Sequence, residues 1–244
     1  QDHYISYRKR DHDHGKQLAC GVTGSDSGTA GELDHVLKSM AKLSSGTTLR
    51  TYRLAMAATG EYTSFHGGTV AEGLAAIVTT MNRVNAIYER EVSVRMVLVA
   101  NNDLIVYTNA GTDPYANTSN DLNANQSNID GVIGSGNYDI GHLVGTGGGG
   151  VAQLGSVCGS GKARGLTGSP SPVGDGFDVD YVAHEVGHQF AGNHTFNGSG
   201  GSCAGGNRSS TTAYEPGSGI SIQAYAGICG GDDLQPNSED HFHR

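Results

Sequence analysis

The sequence predicts an α/β fold, in which a twisted mixed sheet of about five strands packs against a backing helix and a second helix that carries the functional residues. Three observations support this prediction. Strand-like and helix-like segments alternate from residue 48 onward, the helical ones repeat apolar residues every three or four positions, and 39 glycines among 244 residues indicate many turns. A chain of this length fills one core, so we expect one main domain over 47–244 behind an N-terminal extension over 1–46.

Each element is predicted from its local pattern. Residues 48–58 alternate as in a strand, residues 67–90 carry apolar side chains at helical spacing, and residues 92–100 are almost continuously apolar, as in a central buried strand. The second half of the Asn- and Asp-rich stretch 101–128 starts a second helix that faces the sheet. Residues 138–167 follow as strand, glycine loop, strand, turn and strand.

The last predicted helix carries the most distinctive residues. Asp178 is placed to cap a helix that runs from Val179 to about Ala191, where Gly192 ends it. Residues 195–236 are rich in Gly, Ser and Asn and show little periodicity. We therefore expect mostly loops after this helix.

Charge and composition limit the partners. The net charge of −9 repels phosphate backbones and anionic lipid headgroups, and no stretch approaches the roughly 20 apolar residues that span a bilayer. We expect no nucleic acid and no membrane as partners, and a monomer. The oxygen-rich side chains of 101–128 make calcium binding possible, although EF-hand spacing is absent and turn or helix-cap roles are the alternative.

Residues 184–194 read HEVGHQFAGNH and form a metal-binding pattern. His184 and His188 are four positions apart, so they share one face of a helix, and a turn at Gly192 brings His194 back toward them. Composition alone produces this five-residue pattern on the order of 0.0004 times in such a chain. Three imidazoles leave a fourth position open for water, which is typical of catalytic rather than structural zinc. Glu185 is placed to take the proton of that water and deliver it to a leaving group.

The motif HExxHxxGxxH resembles the zinc signature of the metzincin metalloproteases. Within that clan the chain is most similar to the reprolysin-like (adamalysin-type) peptidases, particularly their bacterial relatives. The resemblance implies a metzincin-type fold, in which the sheet and helices form an upper lobe above a smaller, irregular C-terminal lower lobe, with a cleft between the two. It also implies a zinc-dependent endopeptidase acting on protein or peptide substrates. Residues 47–244 would then be the catalytic domain, and residues 1–46 an extension or the end of a propeptide.

A rim strand is implied by the same resemblance. The segment DIGHLV followed by GVAQLGSVC is similar to the strand pair before the active-site helix, whose second strand pairs with the substrate backbone. This role falls on Gly150, Val151, Ala152, Gln153, Leu154 and Gly155, with an interior strand as the alternative. His142 in the preceding strand is either a fourth ligand or a hydrogen-bonded structural histidine, and we favour the latter.

Two positions depart from the family pattern. Ser221 to Tyr225 fit the turn beneath the metal, except that Gln223 stands where metzincins have methionine. Thr195 stands where reprolysins usually have Asp. Tyr225 corresponds to a tyrosine that stabilises the oxyanion in some relatives, with a core role as the alternative. These departures keep two other functions open, namely a protease-derived binding domain and a zinc amidase of small or cell-wall substrates.

Four cysteines lie far apart without CxxC pairs, and we interpret them as disulfide-bonded in a secreted, extracellular protein, with buried thiols as the alternative. The sequence starts at Gln1 without a signal-peptide pattern, so we expect any export signal to have been removed. The resemblance implies a bond between Cys158 and Cys229. Cys20 then pairs with Cys203 or stays free, in which case its thiolate could block the metal.

Overall fold

The computed structural model describes residues 20–23 and 48–243, which form a six-stranded mixed sheet. Its spatial order is β1-β5-β6-β4-β2-β3. All neighbouring strands run parallel except β5 and β6, which are antiparallel. The strands are β1 (Cys20–Thr23), β2 (Arg50–Ala58), β3 (Val94–Leu98), β4 (Ile140–Gly145), β5 (Gly149–Gln153) and β6 (Gly165–Gly168).

The predicted α/β architecture is confirmed. Five strands come from the region after residue 47, and β1 adds a sixth from the N-terminal region. Most of the 1–46 extension lies outside the described residues, so the division into extension and main domain stays a prediction.

Four α-helices accompany the sheet in the described part of the chain. The long helix α2 begins with a capping box, in which Thr69 and Glu72 each bind the other's backbone N–H, so its start is fixed locally. The functional helix α4 spans residues 175–189 in three consecutive segments, the middle one with π geometry. The bounds are α1 (Gly60–Phe65), α2 (Val70–Val92), α3 (Leu122–Ile129) and, within α4, Asp175–Phe177, Asp178–Ala183 and His184–Gln189.

The core has two layers, one on each face of the sheet. Successive residues of β2 point to opposite faces. Leu54 and Met56 join the apolar side chains of α2 and α4, whereas Ala55 and Ala57 join those of α3 and β4. Because β2 is buried on both faces, it holds the two layers together and supports α4.

The prediction that residues 92–100 form a central strand was wrong, because β3 lies at the edge of the sheet beside β2. Val94 and Met96 face the core, whereas Val97 on the other face is 46% exposed. The apolar run therefore serves a strand that is buried on one face only.

The lower lobe after α4 is irregular, as predicted. Phe196 pairs with Glu215 in an isolated bridge, and two short 3-10 segments, Gly201–Cys203 and Gly230–Asp232, complete its regular structure among the described residues. Over the described part of the chain, none of the helices is both long and apolar enough to cross a membrane.

The implied bond between Cys158 and Cys229 was wrong. Cys229 pairs with Cys203, with 5.1 Å between their Cα atoms, and Cys158 is exposed and free. The N–H of Ser202 donates to the Ile228 carbonyl, which brings the two bonded cysteines together within the lower lobe. Cys203 is consequently not available to Cys20.

The Asn- and Asp-rich stretch uses its carboxylates to hold turns. Asp113 accepts the N–H groups of Gly60 and Tyr115, and Asp121 accepts those of Ala116 and Thr118. These bonds agree with the turn interpretation. Calcium binding there stays a prediction.

Candidate metal centre

The helix that carries the motif begins earlier than predicted. It starts at Asp175, directly after Gly174, so Asp178 lies inside the helix and does not cap it. The Asp178 carboxylate instead accepts a hydrogen bond of 2.8 Å from the Thr80 hydroxyl on α2. Burial raises the pKa of Asp178 to about 6, against the smaller opposing effect of the Thr80 bond. This contact joins the start of α4 to the backing helix.

His142 anchors the other end of α4 and has a structural role, as favoured from the sequence. Its Nδ1 lies 2.9 Å from Oε1 of Gln189, the residue after the second motif histidine, and its Nε2 lies 2.8 Å from the Thr167 hydroxyl. The Gln189 amide also donates to the Gly141 carbonyl. Both ring nitrogens of His142 thus bind protein groups, and these bonds fix α4 to β4 and β6.

The turn that brings the third histidine back is centred on Ala191, not on Gly192 as predicted. Ala191 has φ of +71°, its N–H donates to the His188 carbonyl, and the Gly192 N–H donates to the Gly187 carbonyl. These two bonds form a Schellman motif. Gly192 lies in a confined position, since a Cβ there would lie 3.0 Å from the Gly187 carbonyl oxygen.

The three predicted metal ligands lie together. The Nε2 atom of His188 is 3.0 Å from that of His184 and 3.1 Å from that of His194. Two nitrogens bound to one tetrahedral zinc ion are about 3.3 Å apart, so the spacing fits. Within the described parts of the chain, these histidines are the one group of three or more His, Cys, Asp or Glu side chains close enough to share an ion.

The hydrogen bonds of the rings show which nitrogens are available to a metal. Each Nδ1 lies 2.6 Å from a backbone carbonyl oxygen, which only an N–H can satisfy, so each Nε2 presents a lone pair to the shared point. The Nδ1 of His184 binds the carbonyl of Ile222, that of His188 binds the carbonyl of Gly192, and that of His194 binds the carbonyl of Asn207.

Burial keeps these histidines neutral. It lowers the pKa of His184 to about 4 and that of His194 to about 3, and it lowers the pKa of His188 well below its usual value. The mutual proximity of the rings adds to the effect at His188 and His194. Metal binding therefore needs no deprotonation step at neutral pH.

Glu185 lies beside this group and against the rim strand. Its side chain is fully buried. A Cβ on Gly150 of β5 would overlap the Glu185 carboxylate, so the close approach of strand and carboxylate requires glycine at position 150. The structure therefore brings Glu185 together with the first of the predicted rim residues.

The rim segment Gly150–Gly155 coincides with β5 and the two residues after it. The Gly155 N–H donates to the His188 carbonyl, which ties the end of the rim to α4. On its outer side β5 is covered by β1, with Cys20 opposite Gly150 and Thr23 opposite Gln153. In this structure the N-terminal region thus occupies the edge that the resemblance assigns to the substrate.

The predicted turn Ser221 to Tyr225 lies beneath the histidines. Its Ile222 carbonyl holds His184. The Gln223 amide lies 3.1 Å from the Gly192 carbonyl oxygen and donates to it. A Cβ on Gly187 would overlap the end of the Gln223 side chain, so the glycine within the motif makes room for this polar residue.

Tyr225 lies against the third histidine. Its ring centroid is 4.6 Å from that of His194 and 4.5 Å from that of Phe196, and the residue is 3% exposed. The aromatic ring thus packs in the small core of the lower lobe next to the metal site. Both the catalytic and the structural interpretation agree with this position.

Sequence reasoning missed the groups that orient the ligands. They are the carbonyls of Ile222, Gly192 and Asn207, which carry no signal because every residue has one. Glu215 was missed as well, a buried acid that binds both the residue after His194 and the predicted turn beneath the histidines. In the sequence it is a single acidic residue in a loop region, and its burial cannot be predicted because the segment has no regular pattern.

Comparisons with known proteins identify the family of the chain. Two solved structures are similar, "Structure of a chaperone-substrate complex" (14% identity, TM-score 0.45) and "Crystal structure of myroilysin" (12% identity, TM-score 0.37). They match over 77% and 74% of this chain, which spans about a third and about half of their own lengths. None of the curated protein sequences matches. A family model described as metallo-peptidase family M12B, reprolysin-like, matches residues 48–244. The chain therefore belongs to the reprolysin-like M12B metallopeptidase family.

Proposed function

We propose that this protein is a secreted zinc-dependent endopeptidase. The observation that carries the proposal is the convergence of three neutral imidazoles, whose Nδ1–H groups bind carbonyls and whose Nε2 lone pairs face one point. Such a donor set fits zinc, which binds neutral imidazole and keeps a position open in catalytic sites. His184, His188 and His194 are the proposed ligands.

Glu185 is the proposed general base. Zinc held by the three histidines supplies a Lewis acid that polarises the scissile carbonyl and makes a nearby water more acidic. Glu185 accepts the proton of the attacking water and delivers it to the leaving amine. Its burial beside Gly150 excludes bulk water from the carboxylate, which supports this role. Tyr225, next to His194, is proposed to donate a hydrogen bond to the developing oxyanion.

The proposed substrate is an extended peptide bound along β5, through residues 150–155. The pairing of β1 with β5 supports this, because it shows that the outer edge of β5 accepts an extended segment. The Leu154 N–H donates to the Thr23 carbonyl, as it would to a bound peptide. Gly150, at the start of this segment, lies against the Glu185 carboxylate. A segment from the interior of a chain fits this edge, which supports endopeptidase action.

The N-terminal residues 1–46 are proposed to act as the end of a propeptide. β1 covers the edge that we assign to the substrate, so the two compete for the same backbone hydrogen bonds. Export is supported by the Cys203–Cys229 disulfide, which needs an oxidising compartment. We propose a monomer that uses neither nucleic acid nor a membrane as a partner. Calcium is not assigned a role.

Cleavage of casein or of a quenched fluorescent peptide library tests the proposal. We expect hydrolysis that a chelator abolishes and zinc restores. Glu185→Gln should bind zinc normally and lose at least roughly 100-fold in rate, as expected when a general base is removed. A chelator-insensitive rate, or an active Glu185→Gln variant, would contradict the mechanism.

The cover provided by β1 is tested in the full chain with Thr23→Pro, which removes an N–H from the strand and adds a clash. We expect faster cleavage by this variant than by the wild type. If wild type and variant both bind zinc without cleaving any protein, the protease-derived binding domain is the correct function. Hydrolysis of short amides alone would identify the zinc amidase.

A further inference from the structure

Glu215 accepts four hydrogen bonds within the lower lobe. The Thr195 hydroxyl donates to its Oε1 at 2.5 Å, and the Ser221 hydroxyl donates to the same atom. The N–H groups of Ile220 and Ser221 donate to Oε2 at 2.8 and 3.0 Å. All four partners are donors, and the residue is 5% exposed. The site therefore fits a carboxylate, which only accepts.

The four donors belong to two segments that each determine the position of a metal ligand. Thr195 follows His194 directly. Ser221 precedes Ile222, whose carbonyl accepts the Nδ1–H of His184. One carboxylate thus joins the segment of the third ligand to the turn that orients the first.

Backbone hydrogen bonds strengthen the same junction. The Thr195 N–H donates to the Gln223 carbonyl, and the Glu215 N–H donates to the Thr195 carbonyl. Charge-assisted bonds to a buried carboxylate are stronger than these neutral ones, so the side chain dominates the geometry. Without it, the buried hydroxyls of Thr195 and Ser221, the buried Ser221 N–H and the half-buried Ile220 N–H would lose this acceptor.

We infer that Glu215 is a positioning residue for metal binding, which fixes the distance between His184 and His194 through Ser221 and Thr195. This inference rests on the proposed zinc function. It assigns Glu215 no contact with substrate. Its effect passes entirely through the orientation of two ligands, as for outer-shell partners that hold metal-binding histidines.

The test measures zinc affinity in the full-length protein, by competition with a chromophoric chelator after metal removal. Glu215→Gln keeps the shape of the side chain but replaces an acceptor by an NH₂ group. We expect zinc binding roughly 10- to 100-fold weaker than in the wild type, the usual loss for outer-shell changes. The visible spectrum of the cobalt-substituted protein should change as well, because it reports ligand geometry.

Asp232→Asn is the matched control. Asp232 also holds a loop of the lower lobe, by accepting the N–H groups of Ser199 and Gly200. Neither Asp232 nor these two residues directly adjoin a proposed ligand in the chain. It should leave zinc affinity and the cobalt spectrum unchanged. Equal losses in both variants would mean that Glu215 only supports the lobe, and would overturn the inference.

Other outcomes are also decisive. A folded Glu215→Gln protein that binds zinc like the wild type overturns the inference and leaves the proposed function intact. A wild type that binds no zinc overturns the proposed function and the inference with it. If Glu215→Gln does not fold, Thr195→Val and Ser221→Ala each remove one donor. Each should weaken zinc binding at least about threefold, and unchanged affinity in both overturns the inference.

Discussion

Replacing Asp178 by Asn should stabilise the protein at alkaline pH and change little in acid. Asp178 is 6% exposed at the start of α4, where burial raises the pKa of its carboxyl from 3.8 to about 6. The Thr80 hydroxyl donates to Oδ1, an atom that Asn retains. The substitution thus removes the buried charge and keeps the hydrogen bond.

The magnitude follows from the linkage between protonation and folding. Because the folded protein holds the proton more tightly than the unfolded chain, stability falls as pH rises from about 3.8 to 6. An upward move of about two pH units is worth about 3 kcal/mol. Above pH 7 the wild type carries this cost in full, whereas Asp178→Asn does not.

Urea denaturation of both proteins at pH 8 and pH 4 measures the effect. We expect the difference in unfolding free energy to favour the variant by up to about 3 kcal/mol at pH 8 and to approach zero at pH 4. Asp139→Asn is a control whose unfolding free energy should change in the opposite direction. Hydrogen bonds from Arg53 lower the pKa of Asp139, so this variant should be less stable than the wild type at pH 8. An Asp178→Asn variant equally destabilised at both pH values would refute the reasoning.

Three further substitutions test other parts of the structure. Replacing Cys203 and Cys229 by Ala opens a loop with a sequence separation of 26; it should cost about 3 kcal/mol in thermal denaturation, and an unchanged midpoint would contradict this. Gly150→Ala inserts a Cβ against the carboxylate of Glu185, the proposed general base; peptide cleavage should fall while zinc affinity stays the same. Gly187→Ala overlaps the Gln223 amide; it should cost about 1–3 kcal/mol, and less when Gln223 is shortened to Ala.

The helices and strands could be predicted because their signals are local. The apolar spacing over 67–90 located α2, observed at Val70–Val92, to within three residues at each end. The motif also predicted which three imidazoles lie together, since a four-residue spacing on a helix fixes the relation of two of them. The residue that makes the turn was misplaced, because Ala191 adopts the positive φ usually left to glycine.

Long-range pairing could not be predicted. The contact of Thr23 with Ala152 joins residues 129 positions apart, and no pattern in a four-residue strand specifies its partner. The edge position of β3 is a similar case. Its apolar residues suit a central strand equally well, and only the order of all the strands determines whether it lies at the centre or at the edge.

The departure at Thr195 has a structural explanation that depends on a distant residue. A reprolysin-type Asp at this position would supply a carboxylate directly after the third ligand. Here Thr195 supplies a hydroxyl, and the carboxylate comes from Glu215. A negatively charged carboxylate thus still lies between the segment of His194 and the turn, but a different segment of the chain supplies it.

The departure at Gln223 also adds support to the ligands. Because Gly187 leaves room beneath α4, the Gln223 amide reaches the Gly192 carbonyl, which also accepts the Nδ1–H of His188. A methionine would fill this space without donating to that carbonyl. Gln223 therefore fixes the position of the acceptor that orients the second ligand, and Gln223→Met should weaken zinc binding even though it restores the residue usual in the clan. Stronger zinc binding by Gln223→Met, measured by chelator competition, would show that the polar residue impairs the site.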